Sequence, residues 1–88
     1  MNIIMQQLIN QKINSITESE FIQLAHKHGY QVTPAQTKAI FKIIKAQRID
    51  IGNRSQIDQI LERLRTETDP YIAGVVDELF EQFQHYLD

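Results

Sequence analysis

The segment Ile16-Thr17-Glu18-Ser19-Glu20-Phe21 writes a helix start into the chain. The Thr17 hydroxyl can accept a bond from the third N–H of a new helix, and Glu20, three residues on, can reach back to the Thr17 N–H. Ile16 before the cap and Phe21 in the first turn are spaced to close as a hydrophobic staple. Thr33-Pro34-Ala35-Gln36 repeats the pattern. Here Pro occupies the first helical position, where its missing N–H has no intrahelical bond to lose. Asp69-Pro70 opens a last helix in the same way.

Apolar spacing fills in the helices around these starts. The first is expected from about Asn2 to Ile13, with Ile4, Met5, Leu8 and Ile9 on one side. Ile13 and Ile16 extend that stripe, and Asn14-Ser15 ends the helix. The second runs from about Glu18 to His28 and buries Phe21, Ile22, Leu24 and Ala25. Gly29 then fits the left-handed closing position, with Tyr30 as the apolar residue that folds back on the last turn. The third covers Pro34 to about Gln47 and centres its buried face on Ile40, Ile43 and Ile44. Ile49-Asp50-Ile51 alternates like an extended piece but is too short for a strand, and Gly52-Asn53 breaks the chain. A fourth helix carries Ile57, Ile60, Leu61 and Leu64, capped by Asn53 or Ser55. The fifth, Pro70 to about Leu87, has the widest apolar arc: Ile72, Val75, Val76, Leu79, Phe80, Phe83, Tyr86 and Leu87. Such an arc suits either the central helix of a core or a helix that also meets another molecule. The expectation is an all-α fold, a compact bundle of about five short helices forming one domain over residues 1–88.

A chain of 88 residues can bury about 60–65% of its unfolded surface, enough for a small core without much reserve. Self-association is therefore a standing expectation. No apolar run approaches the ~20 residues of a membrane span, and the opening Met1-Asn2-Ile3-Ile4 lacks the basic and apolar regions of a secretory signal. There is no cysteine, which removes disulfides, Cys-ligated metals and a Cys nucleophile. A cytoplasmic protein is expected.

Charge is uneven along the chain. Residues 1–49 hold six basic and two acidic side chains, residues 50–88 three basic and nine acidic, so the halves carry +4 and −6 within a net charge of −2. Lys38, Lys42 and Lys45 are spaced to share one face of the third helix, opposite Ile40, Ile43 and Ile44, with Phe41 and Arg48 on its flank. These five residues are the candidate partner-binding site: the basic groups would meet phosphates while Phe41 stacks a base. The plainer alternative is a solvated face whose charge looks toward the protein's own acidic last helix. A helix-turn-helix built from the second and third helices fits poorly, because only Gln36 and Thr37 could read bases and Gln36 is occupied by its cap. His26 and His28 point to different sides of one helix and cannot share a metal without a third element. No nucleophile–base set, phosphate loop, metal signature or cofactor motif is written in the sequence. The protein is therefore expected to be no enzyme, with no catalytic residue, cofactor, metal or small-molecule substrate. The expected role is a small protein–protein interaction module, self-associating through the C-terminal amphipathic helix. Weak nucleic-acid binding through the third helix is the alternative.

The order of features resembles a family of short proteins of unknown function from endospore-forming, low-GC Gram-positive bacteria. The resemblance rests on Gln11-Lys12-Ile13-Asn14 before Ile16-Thr17-x-x-Glu20, on Leu24-Ala25 and Gly29, and on Val32-Thr33-x-x-Gln36-x-x-x-Ile40. Ile49-Asp50-Ile51-x-Asn53 and Leu79-Phe80-x-Gln82-Phe83 complete it. It covers most of the chain and implies a cytoplasmic, all-helical protein, with no catalytic or binding residues to carry over.

Overall fold

A computed structural model describes residues 3–85, and among them there are five α-helices and no strand. The helices are α1 (Ile3–Ser15), α2 (Glu18–Lys27), α3 (Pro34–Ile44), α4 (Arg54–Glu67) and α5 (Pro70–His85). The expected start of the first helix at Asn2 and the expected Tyr86-Leu87 end of the last lie outside the described residues.

Every sequence-read cap forms. Thr17 Oγ1 accepts from the Glu20 N–H at 3.1 Å, and Glu20 Oε1 accepts from the Thr17 N–H at 3.0 Å. Thr33 and Gln36 make the same reciprocal pair at 3.1 and 2.8 Å. At the end of α2, Gly29 adopts φ +89°. The Tyr30 N–H then reaches the Ala25 carbonyl and the Gly29 N–H reaches that of His26, both at 2.9 Å, which is the two-bond closure of a left-handed helix end. Asn53 rather than Ser55 caps α4, with its Oδ1 accepting from the Gln56 N–H at 3.1 Å. Asp69 Oδ1 accepts from the Ile72 N–H at 3.0 Å ahead of Pro70.

The main helix pairs are α4 with α5, α2 with α3, and α3 with α4. Helix α5 is the central element: Ile72, Ala73, Val75, Val76, Leu79 and Phe80 are all buried. They meet Ile40, Ile43 and Ile44 of α3 and Ile57, Ile60 and Leu64 of α4 in one core cluster. The described part of the wide α5 arc is thus spent on the core, with Phe83 half-buried at its end.

Two helix boundaries differ from expectation, and one cause explains both. Helix α3 stops at Ile44, three residues early, because the chain must turn to bring Ile49-Asp50-Ile51 back under α1. Ile49 and Ile51 are buried and Asp50 points out, the alternation of an extended segment. No strand lies beside it to bond its backbone, and an unpaired buried peptide group is costly. Side-chain amides of α1 take that place. Asn14 Oδ1 accepts from the Ile49 N–H and Asn14 Nδ2 donates to the Ile49 carbonyl, both at 2.8 Å. Asn10 Oδ1 accepts from the Ile51 N–H at 2.7 Å, while Asn10 Nδ2 and Gln6 Nε2 each donate to Asp50 Oδ1 at 3.0 Å. From the other side, Gln56 of α4 accepts from the Asp50 N–H and donates to the Arg48 carbonyl, each at 2.8 Å. Asn14 therefore does not end α1. It lies inside a helix that continues to Ser15.

This ladder of Gln6, Asn10 and Asn14, one turn apart, fixes the rotation of α1 about its own axis. With that flank turned to the loop, Ile9 and Ile13 face the core and Met5 is half-buried. Ile4 and Leu8, expected in the buried stripe, are 72% and 55% exposed, and Ile3 is 67% exposed. Gly52 closes the arrangement: its N–H donates to Asp50 Oδ1 at 2.9 Å, and a Cβ there would lie 2.4 Å from Gln6 Nε2.

Asn14→Ala, which strands the N–H and carbonyl of Ile49, is expected to cost about 2 kcal/mol. Asn14→Asp keeps the acceptor for the Ile49 N–H but sets a second carboxylate oxygen against the Asn10 and Ile49 carbonyls, so it should lose at least as much, while Gln11→Ala on the exposed side should stay within ~0.5 kcal/mol. Chemical denaturation of the three variants checks the order. In the same assay Thr17→Ala, Thr33→Ala and Gly29→Ala should each lose about 1 kcal/mol, the first two through the lost cap and the third through left-handed backbone strain.

Candidate functional site

The five residues singled out on the third helix do not form one free face. Phe41 is half-buried, its ring edge-on to Phe21 with centroids 5.8 Å apart. Lys45 lies 5.7 Å from the Phe41 ring centroid and donates from Nζ to the Asn14 carbonyl at 2.8 Å. It thereby serves the C-terminal end of α1, where carbonyls and the helix dipole favour a cation. Lys38 and Lys42 are exposed on α3, and Arg48 lies past the end of the helix. The aromatic of the set is therefore committed to the fold, and one of its four cations is tied to another helix. Thr37, the other residue considered for base contact, is fully buried, with Oγ1 donating to the Thr33 carbonyl at 2.9 Å.

The three arginines of the acidic half pair with four of its nine acids. Arg63 bonds Glu67 at 2.8 Å and Arg65 bonds Glu62 at 2.5 Å, pairs that pull both carboxyl pKa values down and both guanidinium values up. Arg54 lies 3.2 Å from Asp58 and 3.7 Å from Glu81 of α5. The acidic last helix is thus met by α4 through Arg54. Among the described residues no group of three or more His, Asp or Glu side chains is placed to hold a metal, and no helix is long and apolar enough to cross a membrane.

Two surface features emerge that sequence patterning did not isolate. The first is the outer face of α1, where Ile4 and Leu8 stand one turn apart beside the exposed Ile3, Gln7 and Gln11. No residue from Ile3 to Gln11 carries a charge. The second is a groove of about 310 Å³ among α1, α2 and α5, floored by Ile16, Leu24 and Phe83 and edged by Lys12, Glu20, Gln23 and Lys27. Lys12 and Glu20 are paired there at 2.5 Å. The i, i+4, i+8 amides of α1 were the available clue to the first feature, because three amides in line on one flank leave the opposite flank outward.

The profile of a protein family of unknown function, DUF2624, matches residues 1–84. The chain belongs to the DUF2624 family. Its similarity extends to the uncharacterized protein YqfT of Bacillus subtilis (strain 168), 27% identical over 81 residues that cover 92% of this chain and 96% of YqfT. No solved structure matches the chain. The DUF2624 match spans α1, the ladder and the loop it holds, so all of these lie within the family region.

The most perturbed carboxylate of this DUF2624 chain borders the groove. Glu20 is held down to about 2 from an ordinary 4.5, first by its bond to the Lys12 ammonium and then by the Thr17 N–H and hydroxyl. Asp50 is lowered as well, first by the Asn10 amide, then by the Gly52 N–H and the Gln6 amide. A lowered folded-state pKa stabilises the fold above the ordinary value, and that contribution fades as pH falls toward the folded-state value. Glu20→Gln keeps an acceptor for the Thr17 N–H but loses the charge that Lys12 meets. Wild type should exceed this variant in stability at neutral pH, and the gap should close between about pH 4.5 and 2. Denaturant midpoints measured across that range check the sign.

Proposed function

We propose that the protein is a non-catalytic protein–protein interaction module, acting in the cytoplasm, whose contact surface is the outer face of α1. The observation that carries this is the exposure of Ile4 and Leu8 on successive turns of a helix anchored by its opposite side. Adjacent aliphatic side chains held in water on a fixed helix offer the i, i+4 anchors that helix-binding partners use. The uncharged run from Ile3 to Gln11 supports the same role, because covering that face strips water from no ion. The engagement of Thr17, Glu20, Thr33, Gln36, Asn10 and Asn14 in caps and the ladder supports a non-catalytic role for these side chains. The cysteine-free sequence favours the cytoplasmic setting.

Self-association through α5 has less in its favour than at the sequence level, since Ile72, Val75, Val76, Leu79 and Phe80 are consumed by the core. Weak nucleic-acid binding through Lys38, Lys42, Lys45 and Arg48 is weakened for a related reason: Phe41 and Lys45 have structural partners.

The test separates surface from core. The double variant Ile4→Lys, Leu8→Lys should keep its unfolding free energy within about 0.5 kcal/mol of wild type. A photo-crosslinking amino acid at position 8 should give a discrete adduct in cells, and one at Gln59 on the exposed side of α4 should not. A double variant that unfolds, or equal adducts at both positions, would contradict the proposal.

A further inference from the structure

We infer that α1 is a latched arm: it undocks and unfolds as one unit while α2 to α5 stay folded, and the latch is the amide ladder of Gln6, Asn10 and Asn14. Two properties of the helix point to this. The first is how little apolar packing holds it. Helix α1 contributes two buried apolar side chains, Ile9 and Ile13, where α5 contributes six. A gap of about 30 Å³ lies where Ile13 meets Leu24, Ile44, Val76 and Phe80, so the packing there forgoes part of its dispersion attraction. The remaining attachment is polar. It consists of the ladder to residues 49–51 and two cation contacts at the exposed edge, Lys12 with Glu20 and Lys45 with the Asn14 carbonyl. Water competes for bonds of this kind.

The second property is that the helix has little to sustain it once undocked. Its 13 residues sit at the ~12–15 below which an isolated helix is marginal even in an alanine-rich sequence. Four of them are β-branched isoleucines and two are asparagines, all weaker helix formers than alanine. Lys12 is the one charge in α1, so no ion pair can form within the helix. Helix α2 also buries only two apolar residues, but it has its own capping box and Gly29 closure, and its Phe21 is seated on Phe41 of α3. Docking and helix formation in α1 are therefore one event, and the boundary of the unit falls at Ile16-Thr17, ahead of the α2 cap. Partial unfolding of such a unit is the usual source of a protein's least stable region. Ile4 and Leu8 share a side only while the helix is formed, so the latch also sets the fraction of molecules that present this face. That last consequence rests on the interaction role proposed above; the latch itself does not.

Native-state hydrogen exchange of the full chain tests the latch without any partner. The amides of Ile9, Asn10, Ile13 and Asn14, together with that of Ile49, should share one opening and exchange at least about tenfold faster than those of Ile60, Leu64, Val76 and Leu79. Asn14→Ala separates undocking from simple fraying. Alanine is the better helix former, so a helix that only frays would exchange more slowly in this variant. A latched arm should instead exchange faster throughout, by a common factor of about ten or more, with Leu64 and Leu79 unchanged. Gln6→Ala removes one bond of the ladder and should raise the same group of rates by a smaller common factor. Amides of α1 that exchange no faster than those of α4 and α5 would overturn the inference. So would α1 rates that stay level or fall in Asn14→Ala. Either result leaves the in-cell adduct at position 8 to decide the interaction role separately.

Discussion

The backbone of Ile49 and Ile51 has to be satisfied without a strand beside it, and much of the structure follows from how that is done. The side chains of these two residues are driven into the core, which takes their peptide groups partly out of water. In a sheet a neighbouring strand would supply the partners. Here Asn14 presents a side-chain amide with the same donor and acceptor as a peptide, and Asn10 and Gln6 continue the series toward Ile51 and Asp50. Helix α1 is thereby fastened to a loop more than thirty residues away in sequence. Its rotation follows from the amides as much as from its apolar residues. The exposure of Ile4 and Leu8 is the consequence, and so is the surface from which the functional proposal starts.

Charge is organised on the same local scale. The chain reads as a basic half followed by an acidic half, and the fold pairs part of each charge with nearby elements. The arginines of α4 take up acids on α4 and α5, while Lys45 is drawn to the end of α1. Exposed ion pairs of this kind contribute little to stability individually. On α3, it is the bond of Lys45 to the Asn14 carbonyl that takes a cation out of the basic set.

How legible these features were in the sequence depends on the range of the interaction. Caps are local: Thr17 with Glu20, Thr33 with Gln36, Gly29 with Tyr30 and Asp69 with Pro70 each act within a few residues, and each forms where its spacing indicates. The core positions of α3, α4 and α5 were legible because each of those helices has a single apolar stripe. Helix α1 has apolar residues on two sides. Periodicity alone cannot choose between the arc through Met5, Ile9 and Ile13 and the one through Ile4 and Leu8. That choice is made by amides whose partners lie 35 to 44 residues away, and no local pattern reports such a pairing. The partners of the basic set on α3 were hidden for the same reason. Its spacing was right, but the partners of Phe41 and Lys45 sit on α2 and at the end of α1.

Amide hydrogen exchange at Ile49 and Ile51 tests the central claim most directly. If the ladder holds this segment, both N–H groups are protected in the wild-type protein, Asn14→Ala releases Ile49, and Asn10→Ala releases Ile51, while the amides of α2 and α3 keep their protection. Free exchange at Ile49 in the wild-type protein, or protection at Ile49 that survives Asn14→Ala, would contradict the account.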